Sequence, residues 1–274
     1  MPHYRTRSTV VIAGAGDVGG RLARLRAALG DDVLALRRRP ADVGDGIRPV
    51  CADLTTGDGL QSLPRRADAL VFCAAPDRRD EAAYRALFVD GLRRVRDRVQ
   101  ATKVLLVSST AVHGEDAGEW VDEATPAQPP AFNGRVLREA ERELAQQRGA
   151  SVLRLTGLYG PGRDALLRRA RGGTPGRPHW TNRIHVDDAA AALSHLLDLR
   201  DLQPLYLGSD ALPALESEVL AWVREREGLP PVAAVPAPVS GRRVDSARLR
   251  ASGWSPRYPD YLRGYADLLA IPAV

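Results

Sequence analysis

Apolar positions along the chain fall into two kinds of run, and their alternation outlines the elements. Val10-Val11-Ile12-Ala13 is a short block of small or β-branched residues, the pattern of a strand buried on both faces. Leu22, Leu25 and Leu29 then recur at helical spacing. Further strands are predicted at Asp32–Leu36, Ile47–Ala52, Ala69–Pro76, Lys103–Val107 and Ser151–Leu155. Between them, Glu81–Ala101 reads as a long helix with Leu87, Val89, Leu92, Val95 and Val99 among charges, and Gly134–Arg148 as another. A loop is predicted from His113 to Pro130. From Arg163 to Trp180 periodicity is lost and the chain turns basic and Gly/Pro-rich. Helices at Asp187–Leu199 and Leu215–Arg226, a strand at Leu205–Leu207, a Pro-rich connection at Pro230–Pro238 and a short helix at Ser246–Ala251 complete the pattern. Strands and helices alternating at this pitch predict an α/β fold with a doubly wound parallel sheet.

The first strand runs into Gly14-Ala15-Gly16-Asp17-Val18-Gly19, the G-x-G-x-x-G spacing between a strand and a helix. In a Rossmann fold, Gly14 makes the tight turn, Gly16 lets the backbone approach a pyrophosphate, and Gly19 lets helix and strand pack closely. Amides at the start of the helix, around Asp17 and Val18, point at the anion. This predicts a dinucleotide site. Residues 1–158 are expected to form the nucleotide domain. Residues 159–274 form mainly a substrate region, with helix 187–199 and strand 205–207 returning to the sheet.

The end of the second strand bears on which dinucleotide. An NAD site places an acid there for the ribose hydroxyl. This chain has Arg37-Arg38-Arg39, and no acid from Leu34 to Pro40. Arg37 suits a 2′-phosphate and Arg38 an adenine face, so NADP is favoured over NAD. Asp53 could accept from the adenine amino group with Leu54 beside it, or could cap its own loop. Ala74 and Ala75 are small enough for a ribose to lie against the backbone. Ser108-Ser109-Thr110 stand at the carboxyl end of the fifth strand, where ligands of such sheets bind.

Composition adds boundaries. The net charge is +5 over 274 residues, with arginines scattered and only three Phe, which argues against nucleic-acid binding. No apolar run reaches membrane-spanning length, and Met1–Thr9 lacks the apolar core of a signal peptide, so a cytoplasmic protein is expected. Cys51 and Cys73 read as two buried thiols. Among 39 basic residues, Lys103 is the one lysine.

Four ordered motifs carry a family resemblance: the glycine turn, Val107-Ser108-Ser109-Thr110-Ala111-Val112-His113-Gly114, Arg154-Leu155-Thr156-Gly157-Leu158-Tyr159-Gly160-Pro161-Gly162, and Arg183-Ile184-His185-Val186-Asp187-Asp188-Ala189-Ala190. The tail Arg248–Pro259 adds to them. Together the chain resembles the extended short-chain dehydrogenase/reductases, the NAD-dependent epimerase/dehydratase family. The resemblance implies a Ser that orients the substrate, a Tyr that moves a proton as hydride transfers, and a Lys that lowers the Tyr pKa. Ser109 matches the Ser. The Tyr position holds Asn133 and the Lys position Leu137, and no Tyr-x-x-x-Lys occurs anywhere.

Substitutes for that pair are sought nearby. His113 stands where the family motif usually shows Tyr, and serves as an acid/base candidate or as a loop histidine. Tyr84 and Tyr159 carry phenols that could reach the nicotinamide end, Tyr159 with a cofactor contact or a packing role. His185 with Asp187 reads mainly as architecture. Arg168, Arg169, Arg171 and Arg177 would suit an anionic group on a small substrate lying between the strand ends and 163–183, or form a solvated loop. No metal-ligand spacing occurs. A homodimer through the two long helices is expected only loosely, given their charge. The reading is an NADP-dependent oxidoreductase or epimerase-like enzyme; the alternative is a non-catalytic NADP-binding sensor.

Overall fold

The computed structural model describes residues 7–39 and 43–270; Met1–Thr6 and Pro40 lie outside them. In chain order the elements are β1 (Thr9–Ala13), α1 (Asp17–Ala28), β2 (Asp32–Arg37), β3 (Ile47–Cys51), β4 (Arg66–Phe72), α2 (Glu81–Tyr84), α3 (Leu92–Arg98) and β5 (Gln100–Ser109). A 3-10 turn at Thr110–Val112 leads to β6 (Ala117–Val121), α4 (Phe132–Leu144), β7 (Ala150–Leu155), β8 (Gly157–Tyr159), α5 (Ala165–Arg171), β9 (His179–Thr181) and β10 (Arg183–His185). There follow α6 (Val186–Asp198), β11 (Leu205–Gly208), β12 (Ala214–Leu215), α7 (Glu216–Arg226), β13 (Ser240–Val244), α8 (Ala247–Ala251) and α9 (Tyr261–Leu268). They form two compact units. One comprises the chain to Val112, Ala127–Arg154 and Ala190–Tyr206; the other comprises His113–Pro126, Leu155–Ala189 and the chain from Leu207.

The first unit is built on a seven-stranded sheet in the order β11-β7-β5-β4-β1-β2-β3. The pairs β1/β2, β1/β4, β2/β3 and β4/β5 are parallel. Strand order therefore reverses beside β1, which lies between β2 and β4. In open sheets a crevice for ligands forms at the carboxyl ends of the strands there. Val10, Val11, Ile12 and Ala13 have no exposed surface, as an apolar run covered on both faces should.

The helices depart from the sequence pattern in instructive places. Leu25 and Leu29 are 40% and 51% exposed, so they do not form the buried face of α1. That face is Val18, Gly19, Leu22, Ala23 and Arg26. Arg26 is buried because Asp31 accepts from its Nε at 2.7 Å and Asp198 from its Nη1 at 2.9 Å. The helix predicted to run to Ala101 ends at Arg98; Val99 is extended and Gln100 donates to Arg65 O at 2.9 Å, starting β5 early. Between α2 and α3 a π turn spans Arg85–Gly91. It brings Gly91 so close to the loop after β3 that a Cβ there would sit 2.9 Å from Leu54 O. On the outer face, Arg85 pairs with Glu139 and Arg93 with Glu143, tying this helical stretch to α4. Lys103 donates to Leu197 O at 2.7 Å and to Leu199 O, capping the end of α6.

The second unit holds a four-stranded sheet in the order β12-β9-β13-β6 and the parallel pair β8/β10. Thus the predicted loops His113–Pro130 and Arg163–Trp180 contain β6, α5 and β9. Its core gathers Tyr159, Leu167, Ala170, Val219, Leu220, Val223, Tyr261 and Tyr265. The Arg-Ile-His-Val-Asp-Asp segment is architectural. His185 Nδ1 accepts from Asp187 N–H at 3.2 Å, and its ring lies 4.1 Å from that of Tyr258. Asp188 accepts from the amides of Arg257 and Tyr258 at 2.7 and 2.9 Å, fastening the tail.

Asp210 in this unit is 1% exposed, and neither carboxylate oxygen makes a well-formed hydrogen bond. Burial pushes its carboxyl up to about 8; Arg183 and the Leu212 amide oppose the rise, while Asp260 and Asp188 add to it. A raised carboxyl keeps its proton in the folded state while the unfolded chain has lost it. Between the ordinary carboxylate value and pH 8 the folded state therefore binds more protons, and stability falls as pH rises, by up to about 1.4 kcal/mol per pH unit. Above pH 8 the loss is complete. Asp210→Asn, which mimics the protonated form, is expected to remove this component. Urea unfolding at pH 5, 7 and 9 should show the variant gaining on the parent as pH rises; parallel profiles would refute it.

Candidate functional site

The three glycines of the turn differ in what surrounds them. Gly14 has φ +102°, a left-handed conformation, and a Cβ on it would lie 2.5 Å from Ala74 Cα. A Cβ on Gly19 would lie 2.2 Å from Gly14 O. Around Gly16 nothing lies within 4 Å of the corresponding position. Two of the glycines are therefore needed for packing, and the middle one faces open space. Ala15 N–H donates to Leu36 O at 2.9 Å, and Cys73 N–H to Ala13 O at 2.8 Å, so the turn is held to β2 and β4. Gly20 N–H to Gly16 O is the first bond of α1, so Val18 lies in the first turn, where helix amides have no carbonyl one turn back. The Asp17 carboxylate accepts from Arg21 Nε at 2.9 Å. The Val18 side chain is buried, so its amide alone is available to a ligand.

Around this turn the other residues divide. Arg37 is exposed at the end of β2, and its guanidinium has no partner among the described residues. Arg38 is paired with Asp77. One oxygen of Asp53 accepts from Thr55 N–H at 2.7 Å and from Thr55 Oγ1 at 2.6 Å, the loop-capping arrangement. Those bonds, the Thr55 hydroxyl first, hold its carboxyl below the usual range. The Leu54 side chain is in the core, not free to face a ligand. Ala74 is half-buried and Ala75 exposed. Of the two thiols expected to be buried, Cys51 is exposed, because β3 is an edge strand. Burial pushes the Cys73 thiol up to about 12.

At the end of β5, Ser108 is buried and donates to Glu141 Oε1 at 2.7 Å. Glu141 also takes two bonds from Arg154, from Nε at 2.9 Å and from Nη2 at 2.7 Å. This buried fork ties β5, α4 and β7 together. Ser109, half-exposed, accepts from Ala111 N–H at 3.2 Å. A Cβ on Gly134 would lie 2.3 Å from Ala111 O, so the first turn of α4 abuts the segment that follows Ser109. Asn133 is half-exposed on that turn, and Leu137 is 4% exposed in the core. The Tyr84 ring packs edge-on against Phe132 with centroids 5.5 Å apart.

Three expectations change with the geometry. The His113 ring has no exposed surface, and its Nδ1 lies 3.8 Å from Glu115; it is enclosed in the second unit. Tyr159 is 3% exposed, with its hydroxyl donating to Asp260 O at 3.4 Å and Gly264 directly against it, so the ring is a packing residue. The four arginines suited to an anion are engaged: Arg168 with Asp164, Arg169 with Glu216 at 2.8 Å, Arg171 with Glu227 at 2.6 Å and Arg177 with Glu216 at 3.9 Å. Asp77 was not singled out in the sequence, although an acid directly after Ala74-Ala75-Pro76 is a readable signal. Among the described residues no cluster could hold a metal ion, and no helix is long and apolar enough to cross a membrane.

No protein-family model matches the chain. Residue by residue it is similar to a solved Methylobacillus flagellatus protein assigned to the NAD-dependent epimerase/dehydratases: 37% identity over 97% of this chain and 98% of that one, with a TM-score of 0.86. It is 41% identical over 97 residues to protein YeeZ of Escherichia coli K12, a match spanning 35% of each. It is 30% identical over 220 residues to the 2′-dehydrokanamycin reductase of Streptomyces kanamyceticus, covering 72% of this chain and 59% of the reductase. The parallel sheet with its glycine turn and the end-to-end likeness to the Methylobacillus protein agree: the chain belongs to the NAD-dependent epimerase/dehydratase family of extended short-chain dehydrogenase/reductases.

Proposed function

We propose that the first unit binds NADP at the carboxyl end of β1, and that the protein is an oxidoreductase or epimerase-like enzyme acting on a small molecule. The observation that carries the reading is the open space at Gly16, directly before the first turn of α1, where a pyrophosphate fits. Arg37 at the end of β2, without a partner among the described residues, supports NADP over NAD. Arg38 stacks on the adenine, with Asp53 and the Leu54 backbone at its edge and Ala74 and Ala75 under its ribose. Nicotinamide cofactors supply the hydride; the chain supplies orientation and a proton. Ser109 would orient the substrate oxygen. The second unit provides the substrate region, and the relative that reduces 2′-dehydrokanamycin favours carbonyl reduction.

A second reading has its own observation. Leu137 is a core side chain and Asn133 does not titrate, so the usual proton donor and its activating charge are both gone. That favours a sensor that holds NADP without turnover. With His113 enclosed, Tyr84 beside Phe132 is the remaining phenol in the first unit near that turn.

The test needs no substrate. Titration with NADPH and NADH by calorimetry should show NADPH binding more tightly. Arg37→Ala should weaken NADPH about tenfold or more, the value of a charge-assisted phosphate contact, and leave NADH nearly unchanged. Equal affinities, unmoved by the substitution, would overturn the assignment to NADP.

A further inference from the structure

Arg38 follows the end of β2, and Asp77 follows the small residues after β4. β1 lies between β2 and β4 in the sheet. A side-chain bridge from 38 to 77 therefore crosses above the carboxyl end of β1, where the Gly14–Gly16 turn stands. The bridge is a two-bond fork: Arg38 Nη2 donates to Asp77 Oδ1 at 2.6 Å and Nη1 to Oδ2. The two side chains are 54% and 61% exposed, so neither is needed for packing. The Arg38 hydrogen bonds hold the Asp77 carboxyl below the usual range, and Asp53 adds negative charge on the same side.

We infer that the Arg38–Asp77 pair is a clasp over the adenosine half of the nucleotide site, in which Asp77 competes with the 2′-phosphate of NADP for Arg38. This rests on the nucleotide reading above. Arg37, without a partner among the described residues, meets the phosphate first. Arg38 is a second guanidinium within one residue of it, and Asp77 holds it back. A 2′-phosphate recruiting Arg38 has to break the fork and leave a carboxylate beside the added charge. A 2′-hydroxyl meets no such opposition. Asp77 thus sets how strongly the site prefers the phosphorylated dinucleotide, by limiting it.

The experiment compares NADPH and NADH binding, by calorimetry at low salt, in the parent, Asp77→Asn, Arg38→Ala and the double variant. An exposed ion pair is worth little, so Asp77→Asn is expected to tighten NADPH only about three- to fivefold and to leave NADH within about 1.5-fold. In the Arg38→Ala background the same change should gain less than about twofold. Thermal unfolding should be unchanged, since both groups are exposed. If Asp77→Asn leaves NADPH unmoved, weakens it, or tightens both nucleotides equally, the competition is overturned while nucleotide binding stands. If the parent binds neither nucleotide, both readings fall.

Discussion

Gly16→Asp is expected to abolish dinucleotide binding and leave the protein folded. The position has room for a side chain, and its φ of −75° is not the left-handed conformation reserved for glycine. A new carboxylate there would face the two charged phosphates, opposed by few protein charges. A few kcal/mol of repulsion in a partly desolvated site amounts to about a hundredfold or more in affinity. Unfolding free energy should stay within about 0.5 kcal/mol, as for a surface change. Gly19→Ala provides the contrast. Its Cβ would meet Gly14 O at 2.2 Å, so the turn itself must move and stability should fall with binding. Calorimetry with NADPH and a denaturant titration read both effects. Parent-like binding by Gly16→Asp would mean that the pyrophosphate does not lie at this turn.

Glu141→Ala is expected to be the most damaging change in the first unit. Glu141 and Arg154 are each 3% exposed, and the carboxylate takes two bonds from Arg154, one from Ser108 and a longer one, 3.4 Å, from Arg138 Nη1. Removing it strands a buried guanidinium, a loss of about 3–5 kcal/mol. The double change Glu141→Leu with Arg154→Met should lose much less, because no charge is left unpaired. Urea unfolding of the three proteins decides. A single-variant loss below about 1 kcal/mol would show that water reaches the pair. The fork also fixes the end of β5, so Ser109 should shift when it is broken.

The strands of the first unit and the glycine turn were legible because their signals are local. Their apolar blocks need no partner to be recognised, and Gly14, Gly16 and Gly19 occur at a spacing whose backbone geometry the structure displays. The second unit was harder to read. Ser-Gly-Arg-Arg-Val becomes β13 only because β6 and β9 pair with it, and β6 and β9 have no apolar alternation of their own. Charge was the other blind spot. Arg26 is a charged residue, yet Asp31 and Asp198 bring it inside; Leu25 and Leu29 recur at helical spacing with Leu22 and are exposed. Arg169, Arg171 and Arg177 read as free for an anion because Glu216 and Glu227, their partners, are distant in sequence; the partner of Arg168, Asp164, is one helical turn away. Asp53 and Arg38, both expected to meet the nucleotide, are each already bonded within the protein.

The position of Lys103 sets how the protein's charge can be addressed. Its ammonium caps the end of α6, and no other lysine exists. Every other basic side chain apart from histidine is a guanidinium, which keeps its charge into strongly alkaline solution. The side-chain positive charge is therefore almost invariant with pH, and changes in net charge come from acids, histidines and phenols. For amine-directed reagents the molecule offers one ε-amine, whose pKa burial lowers. That amine becomes reachable to the extent that the last turn of α6 opens, so a nonspecific label becomes a local probe of one helix end.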